Sequence, residues 1–169
     1  MELPTAAKLR NAPGLQDIFE LVKGVVWRAF RIDQAGLLVG LAELGVGPRT
    51  VGAFYSPGAN TIVINRTVMD GIGRLHDREL FNSYCFYILL HEYLHSCGFY
   101  DEAENRQVVA AVSANEFGLN HTVTRLATTG DAMSRLLGMA SARFPAAAGN
   151  DGGIEFIHGI DRDNTNYIM

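Results

Sequence analysis

Apolar residues recur along this chain in two rhythms, and one stretch is apolar almost throughout. Over residues 14–31, Leu15, Ile18, Phe19, Val22, Val26 and Phe30 fall three or four apart, the period of one helix face. The spacing predicts an amphipathic helix lying on a core, with Trp27 in that core or at its boundary. Gln34 to Leu44 reads as a second, shorter helix, capped by Asp33 and stopped by Gly45 and Gly47-Pro48. Between 50 and 65 the period becomes two: Val51, Ala53 and Tyr55 alternate, Ser56 to Asn60 supply turn residues, and Thr61-Ile62-Val63-Ile64 is β-branched. A β-hairpin is predicted there. Residues 66–77 read as a helical turn or loop, with His76 at the surface.

The continuous stretch is Phe81 to Leu90, inside a helix predicted over Arg78 to Cys97. A helix apolar on all sides is buried, and Gly98 ends it because glycine readily adopts the left-handed conformation. Another helix is predicted over Ala103 to Phe117, with Val108, Val109, Val112 and Phe117 inward and Gly118 at its end. Thr122 to Ala140 reads as one helix or two, interrupted near Thr129-Gly130-Asp131. Residues 144–153 read as a loop, and Ile154 to Ile157 alternate as a short strand; the tail DRDNTNYIM carries no pattern. Together these elements predict an α+β fold, a small mixed sheet containing the hairpin, flanked by helices, with the Arg78–Cys97 helix at its centre. A chain of 169 residues buries about 70% of its unfolded surface, which suits a single domain over 1–169.

Charge narrows the function classes. The net charge is −4 without a basic patch, so nothing electrostatic favours nucleic acid or an anionic membrane. The first residues, MELPTAAKLRNAPG, lack the pattern of a signal peptide, and no apolar run is long enough to span a bilayer. Cys85 and Cys97 lie twelve residues apart on one predicted helix, about 18 Å, too far for a disulfide. Both are expected as reduced thiols in a cytoplasmic protein, Cys85 in the core. Cys97, two residues past His95, is within reach of a metal, but packing is its expected role.

The buried helix carries His91-Glu92-Tyr93-Leu94-His95, an HExxH pattern. Residues four apart share a helix face, so both imidazoles can grip one divalent ion while the glutamate beside them handles the proton of a water. Shuffling the composition would produce on the order of 0.01 such matches. Burial sharpens the point, because two imidazoles and a carboxylate are costly to desolvate unless something satisfies them. A catalytic zinc takes three protein ligands and leaves one position open.

Past His95 the chain reads Ser-Cys-Gly-Phe-Tyr-Asp, giving His91-Glu92-x-x-His95-x-x-Gly98-x-x-Asp101. This resembles the elongated HExxHxxGxxH/D motif of metzincin-like zinc peptidases, in the aspartate form of the snapalysin-like group. His95 to Glu102 also resembles the astacin stretch, with Asp101 at the histidine position and Glu102 retained. The likeness covers about a dozen residues plus the order of strand, active helix and turn. It implies a minimal zincin domain, similar to small metalloprotease-like proteins of archaea and bacteria, with Zn2+ held by His91, His95 and Asp101 and with Glu92 as general base in peptide hydrolysis. It implies peptide or protein substrates, paired with a strand upstream of the active helix.

Two departures keep alternatives open. Met133, Met139 and Met169 are the candidates for the clan's methionine turn, and none sits in a convincing turn motif. A helix starting directly after Asp101 is more like the gluzincins, whose third ligand is a glutamate on the following helix. That brings in Glu102, Glu104 and Glu116, although Glu116 lies about 20 Å along the helix from residue 102. His121 is a further candidate, and Asp101 could instead cap the helix. His158 is read as unrelated to the site. Tyr93, Tyr100 or a later tyrosine could stabilise an oxyanion. The rival to an enzyme is a catalytically silent domain that binds zinc or a partner and keeps the zincin fold.

Overall fold

A computed structural model describes residues 1–47, 50–141 and 153–160, and structural statements below concern these. The amphipathic stretch forms helix α2 (Leu15–Phe30), which buries Ile18, Phe19, Val22, Val25 and Val26. Leu15 is only partly buried, and Phe30 and Trp27 sit at the surface, Phe30 tilted against Phe99 with ring centroids 5.2 Å apart. Ahead of α2 runs a helix the sequence reading did not anticipate, α1 (Pro4–Asn11). Proline opens it, where no backbone N–H is needed.

The helix expected over Gln34–Leu44 is a correction. Leu38–Ala42 form strand β1, which pairs in parallel with β3 (Thr61–Asn65), Val39 opposite Ile62. Five residues of one apolar run cannot be assigned to strand or helix by rhythm alone. The deciding feature is remote. A Cβ at Gly40 would lie 2.4 Å from Ile154 Cγ2 and 3.5 Å from Phe156 Cδ1, so glycine lets β4 (Glu155–Phe156) close over β1. Asp33, expected as a cap, instead accepts from the Tyr93 hydroxyl at 3.4 Å.

The hairpin forms as predicted: β2 (Ala53–Ser56) runs antiparallel to β3, Phe54 opposite Val63. The sheet is thus mixed, in the order β2-β3-β1-β4, with β2 at one edge. Asn65 closes β3 and caps α3 (Arg66–Gly73) by accepting from Thr67 N–H; its amide also donates to the Gly45 and Val51 carbonyls, pinning those two residues to the end of β3. Arg66 pairs with Glu155, tying β4 down.

Helix α4 (Arg78–Ser96) is the centre of the molecule, packed against α1, α2, α3, α5 (Glu102–Phe117), α6 (Thr122–Thr128) and the sheet. Asp77 caps it by accepting from Leu80 N–H at 3.0 Å. Tyr84, Cys85, Phe86, Leu89, Leu90, Tyr93 and Leu94 are at most 1% exposed, as an all-apolar helix requires. Each fully buried side chain of this size contributes roughly 1.5–3 kcal/mol. Of the inward set expected on α5, Val109, Val112 and Phe117 are buried and Val108 is partly so.

Residues 122–140 divide into α6 and α7 (Gly130–Ser141), broken where Thr129-Gly130 suggested. The fold is α+β: among the described residues, seven helices flank a four-stranded mixed sheet. No described helix is long and apolar enough to cross a membrane. The loop predicted over 144–153 lies almost wholly outside the described residues, and so does the tail with Met169.

Candidate metal centre

The site grows from the way α4 ends. Gly98 takes φ +108°, Phe99 N–H bonds back to Leu94 carbonyl at 3.0 Å and Gly98 N–H to His95 carbonyl at 3.1 Å. This paired closure at a left-handed residue reverses the chain within four residues. Asp101 then caps α5, its carboxylate accepting from Glu104 N–H at 2.8 Å. The helix therefore begins at Glu102, one residue earlier than the sequence suggested, and its first turn comes back beside the last turn of α4.

That turn decides which carboxylate meets the imidazoles. His91 and His95 lie one helical turn apart with ring centroids 4.9 Å apart. His91 Nε2 is 3.3 Å from one Glu102 oxygen, and His95 Nε2 is 2.9 Å from the other. Ligand atoms of these three residues all fall within 4.8 Å, the one such group of His, Cys, Asp or Glu among the described residues. The expected third member, Asp101, is not in it, because its carboxylate serves the helix cap; Glu102, weighed as an alternative, takes the place.

The remaining candidates are engaged elsewhere or exposed. Glu116 accepts from Thr5 at 2.7 Å and from Arg28 at 3.0 and 3.2 Å. His121 caps α6 through Nδ1, accepting from Val123 N–H at 3.1 Å, and stacks on Phe117. Glu104 is exposed on the first turn of α5. Cys97 is outside the group and unpaired, like the fully buried Cys85. Met133 and Met139 lie on α7, and neither lies in the group. His158 contributes only its carbonyl, to Gln16.

The three side chains suit a divalent cation. His95 Nδ1 lies 2.8 Å from the Phe99 carbonyl. A carbonyl only accepts, so Nδ1–H donates to it, and Nε2 is the ring atom turned toward Glu102, the one placed to meet an ion. The His95 and His91 side chains are only 12% and 15% exposed, whereas that of Glu102 is 61% exposed, which leaves the group reachable from solvent. Burial pushes the His91 imidazole below its usual range, keeping it neutral as a ligand must be.

Glu92 sits beside this group, 8% exposed. Burial, reinforced by the Glu102 charge, pushes its carboxyl up to about 8, although the Tyr55 backbone N–H donates to it. That N–H comes from β2, the edge strand, so the sheet and the motif helix meet at this carboxyl. Tyr93 is not an available oxyanion donor: its hydroxyl accepts from Gln34 N–H at 3.1 Å and donates to Asp33. Tyr100 is 68% exposed on the connecting turn.

Two supporting residues escaped the sequence reading. Asn105 is completely buried, and its amide donates to the His91 carbonyl at 3.0 Å and the Phe99 carbonyl at 3.3 Å. It braces the carbonyl that sets the His95 ring. Arg106, one turn beyond Glu102, brings its guanidinium to 3.9 Å from that carboxylate. Their positions three and four residues after Glu102 were the available signal, legible only once Glu102 was known to face α4. Neither a protein-family model, nor a curated protein, nor a solved structure matches this chain.

Proposed function

We propose that this chain is a zinc-dependent metallopeptidase with a minimal zincin-like domain, in which His91, His95 and Glu102 hold the ion and Glu92 is the general base. The observation that carries the reading is the convergence of both Nε2 atoms on the Glu102 carboxylate, with the protonated Nδ1 of His95 turned to Phe99. Two imidazoles, one carboxylate and an exposed side form the ligand set of an open catalytic zinc site. Zinc bound there would supply Lewis acidity, polarising a carbonyl and making water a stronger acid.

The chain's own residues then divide the work. Glu92 removes a proton from the attacking water as its oxygen joins the carbonyl carbon. It returns that proton to the amine nitrogen as the C–N bond breaks. Peptide or protein in extended form is the substrate, because β2 offers an open sheet edge next to Glu92. The two unpaired thiols support a reducing compartment, the cytoplasm, as the setting.

A second reading rests on the same contacts. Glu102 satisfies both imidazoles by hydrogen bonds at 2.9 and 3.3 Å, and such a trio can stand without metal in a silent binding domain. Metal analysis of protein purified without chelator, combined with a peptide-library digest, separates the readings. The peptidase predicts one zinc per chain, lost in His91→Ala, and cleavage that is lost in Glu92→Gln while zinc stays. Unchanged cleavage in Glu92→Gln, or no zinc in the unaltered protein, removes the proposal.

A further inference from the structure

The two faces of the sheet are unlike. Directly paired residues of neighbouring strands share a face, so Phe54, Val63, Gly40 and Phe156 form one row across all four strands. Leu38, two residues before Gly40, and Ile154, two before Phe156, stand on the same side. Val39, Ile62 and Ile64 point the other way, into the core, and are at most 1% exposed. The described helices that meet the strands are α3 and α4, and they pack on each other, so both belong to that inner side. No described helix covers the outer face. There Leu38, Phe54, Ile154 and Phe156 are 39–48% exposed. Leu44, Val46 and Val51, just as exposed, border a hollow with Phe54 and carry the apolar surface beyond the strands.

Area, charge and shape together say what fits there. At roughly 150–250 Å² for a large side chain, these seven, nearly half exposed, offer on the order of 600 Å² of apolar surface. That is the upper limit of what a monomer leaves bare. A stable pair buries about 800 Å² per partner, about two thirds of it apolar in homodimers, so the face matches one half of such an interface. The strands set no charged side chain on it; Glu155 alternates to the other side and is paired with Arg66. An uncharged face gives a basic or acidic partner nothing to recognise, and a chain of net charge −4 is not drawn to an anionic bilayer. The face does suit its own likeness. Phe54 and Phe156 stand as ridges about 14 Å apart, three strand spacings. Between them Val63 and Gly40 form a floor that Ile154 leans across. A surface with both ridges and floor can mate with itself about a two-fold axis.

We propose that the outer face of the sheet is the contact between two copies of this chain, packed sheet on sheet about 10 Å apart around a two-fold axis, with the Phe54–Phe156 row at its centre. Packing of this kind uses side chains that stand above the pleat. The in-plane N–H and C=O groups at the open edge of β2 are not consumed by it. Thr50 bounds both the hollow beside Phe54 and a cavity that His91 and Glu92 line, so the second copy comes up to the same side of the molecule as the metal group. The pairing is independent of the peptidase reading, because His91, Glu92, His95 and Glu102 take no part in it.

Sedimentation equilibrium of the full chain over about 1–100 μM tests the pairing, micromolar being the weak end for an interface of this size. A species of twice the chain mass is expected. Phe54→Asp and Leu38→Lys place a charge in the buried row, and each should raise the dissociation constant about 30-fold or more. Val46→Asp lies in the connection outside the strands and should act in the same direction; it serves where circular dichroism shows that a strand variant has not folded. Leu119→Asp, at an exposed apolar position in the turn between α5 and α6, should leave the dimer intact. A single-chain mass at every concentration overturns the proposal. So does a dimer that the three face variants leave unchanged, or one that Leu119→Asp dissolves. Flotation of a monomeric chain with neutral phosphatidylcholine vesicles, lost in Val46→Asp, would also overturn it and give the face to a bilayer instead.

Discussion

Two glutamates on adjacent helices have opposite surroundings. Glu116, near the end of α5, is ringed by donors: Thr5 from α1 and Arg28 from α2 hold its carboxylate below the usual range, even though burial pushes the other way. Glu92 on α4 is buried with a single backbone N–H and faces the Glu102 charge, and its carboxyl rises to about 8. One region spends a carboxylate on joining three helices. The other keeps a carboxyl poorly satisfied beside two imidazoles, the arrangement expected where chemistry rather than cohesion decides the residue.

The contrast can be broken most forcefully at Glu92. Glu92→Gln keeps the shape and removes the base, so peptide cleavage should fall by about 10²–10⁴-fold with zinc content unchanged. Asn105→Ala leaves both Glu92 and Glu116 alone but frees the Phe99 carbonyl and the His91 backbone. Zinc affinity should drop by about 10–100-fold, as for other groups that orient metal ligands, measured by competition with a chromophoric chelator.

Glu116→Ala tests the cohesive side. It leaves Arg28 and Thr5 without their acceptor, and should lower unfolding free energy by about 1–3 kcal/mol in denaturant titration while zinc affinity holds. A loss of zinc affinity in that variant would erase the distinction between the two regions.

The smallest effect concerns pH in chelator-treated protein. Above about pH 4.5 the unfolded chain has released the Glu92 proton, whereas the folded protein holds it up to about 8. The folded state is therefore the one that loses ground as pH rises through that window, by at most about 1.4 kcal/mol per unit. His91, held below its usual range, acts in the opposite sense only where imidazoles titrate, at lower pH. Between about pH 7 and 8, Glu92→Gln should flatten the decline in melting temperature; an equal slope in both proteins would mean that Glu92 is not the group responsible.

The legible parts of the sequence were those written in local patterns. The hairpin, α2, α4 and its glycine stop followed from spacing, and the pair His91 and His95 from helix geometry. Leu38–Ala42 misled, because an apolar run of five says nothing about its partners; the residues of β3 and β4 that pair with it lie 23 and more than 100 positions away. Asp101 and Glu102 differ by one position, and an aspartate before a helix can cap as readily as it can ligate. Only the placement of α5 against α4 separates the two roles. Asn105 is a polar residue on a surface-like stretch until its neighbours are known.

The two-residue strand β4 has a consequence for biosynthesis. His91, His95 and Glu102 are all synthesised by Phe117, yet the far border of the sheet waits for residues 155 and 156 and their clamp on Arg66. A chain stopped between those points would carry these three residues together with a bare strand edge, Leu38–Ala42, ready to recruit other chains. Premature termination should thus yield clumping material rather than a smaller working protein.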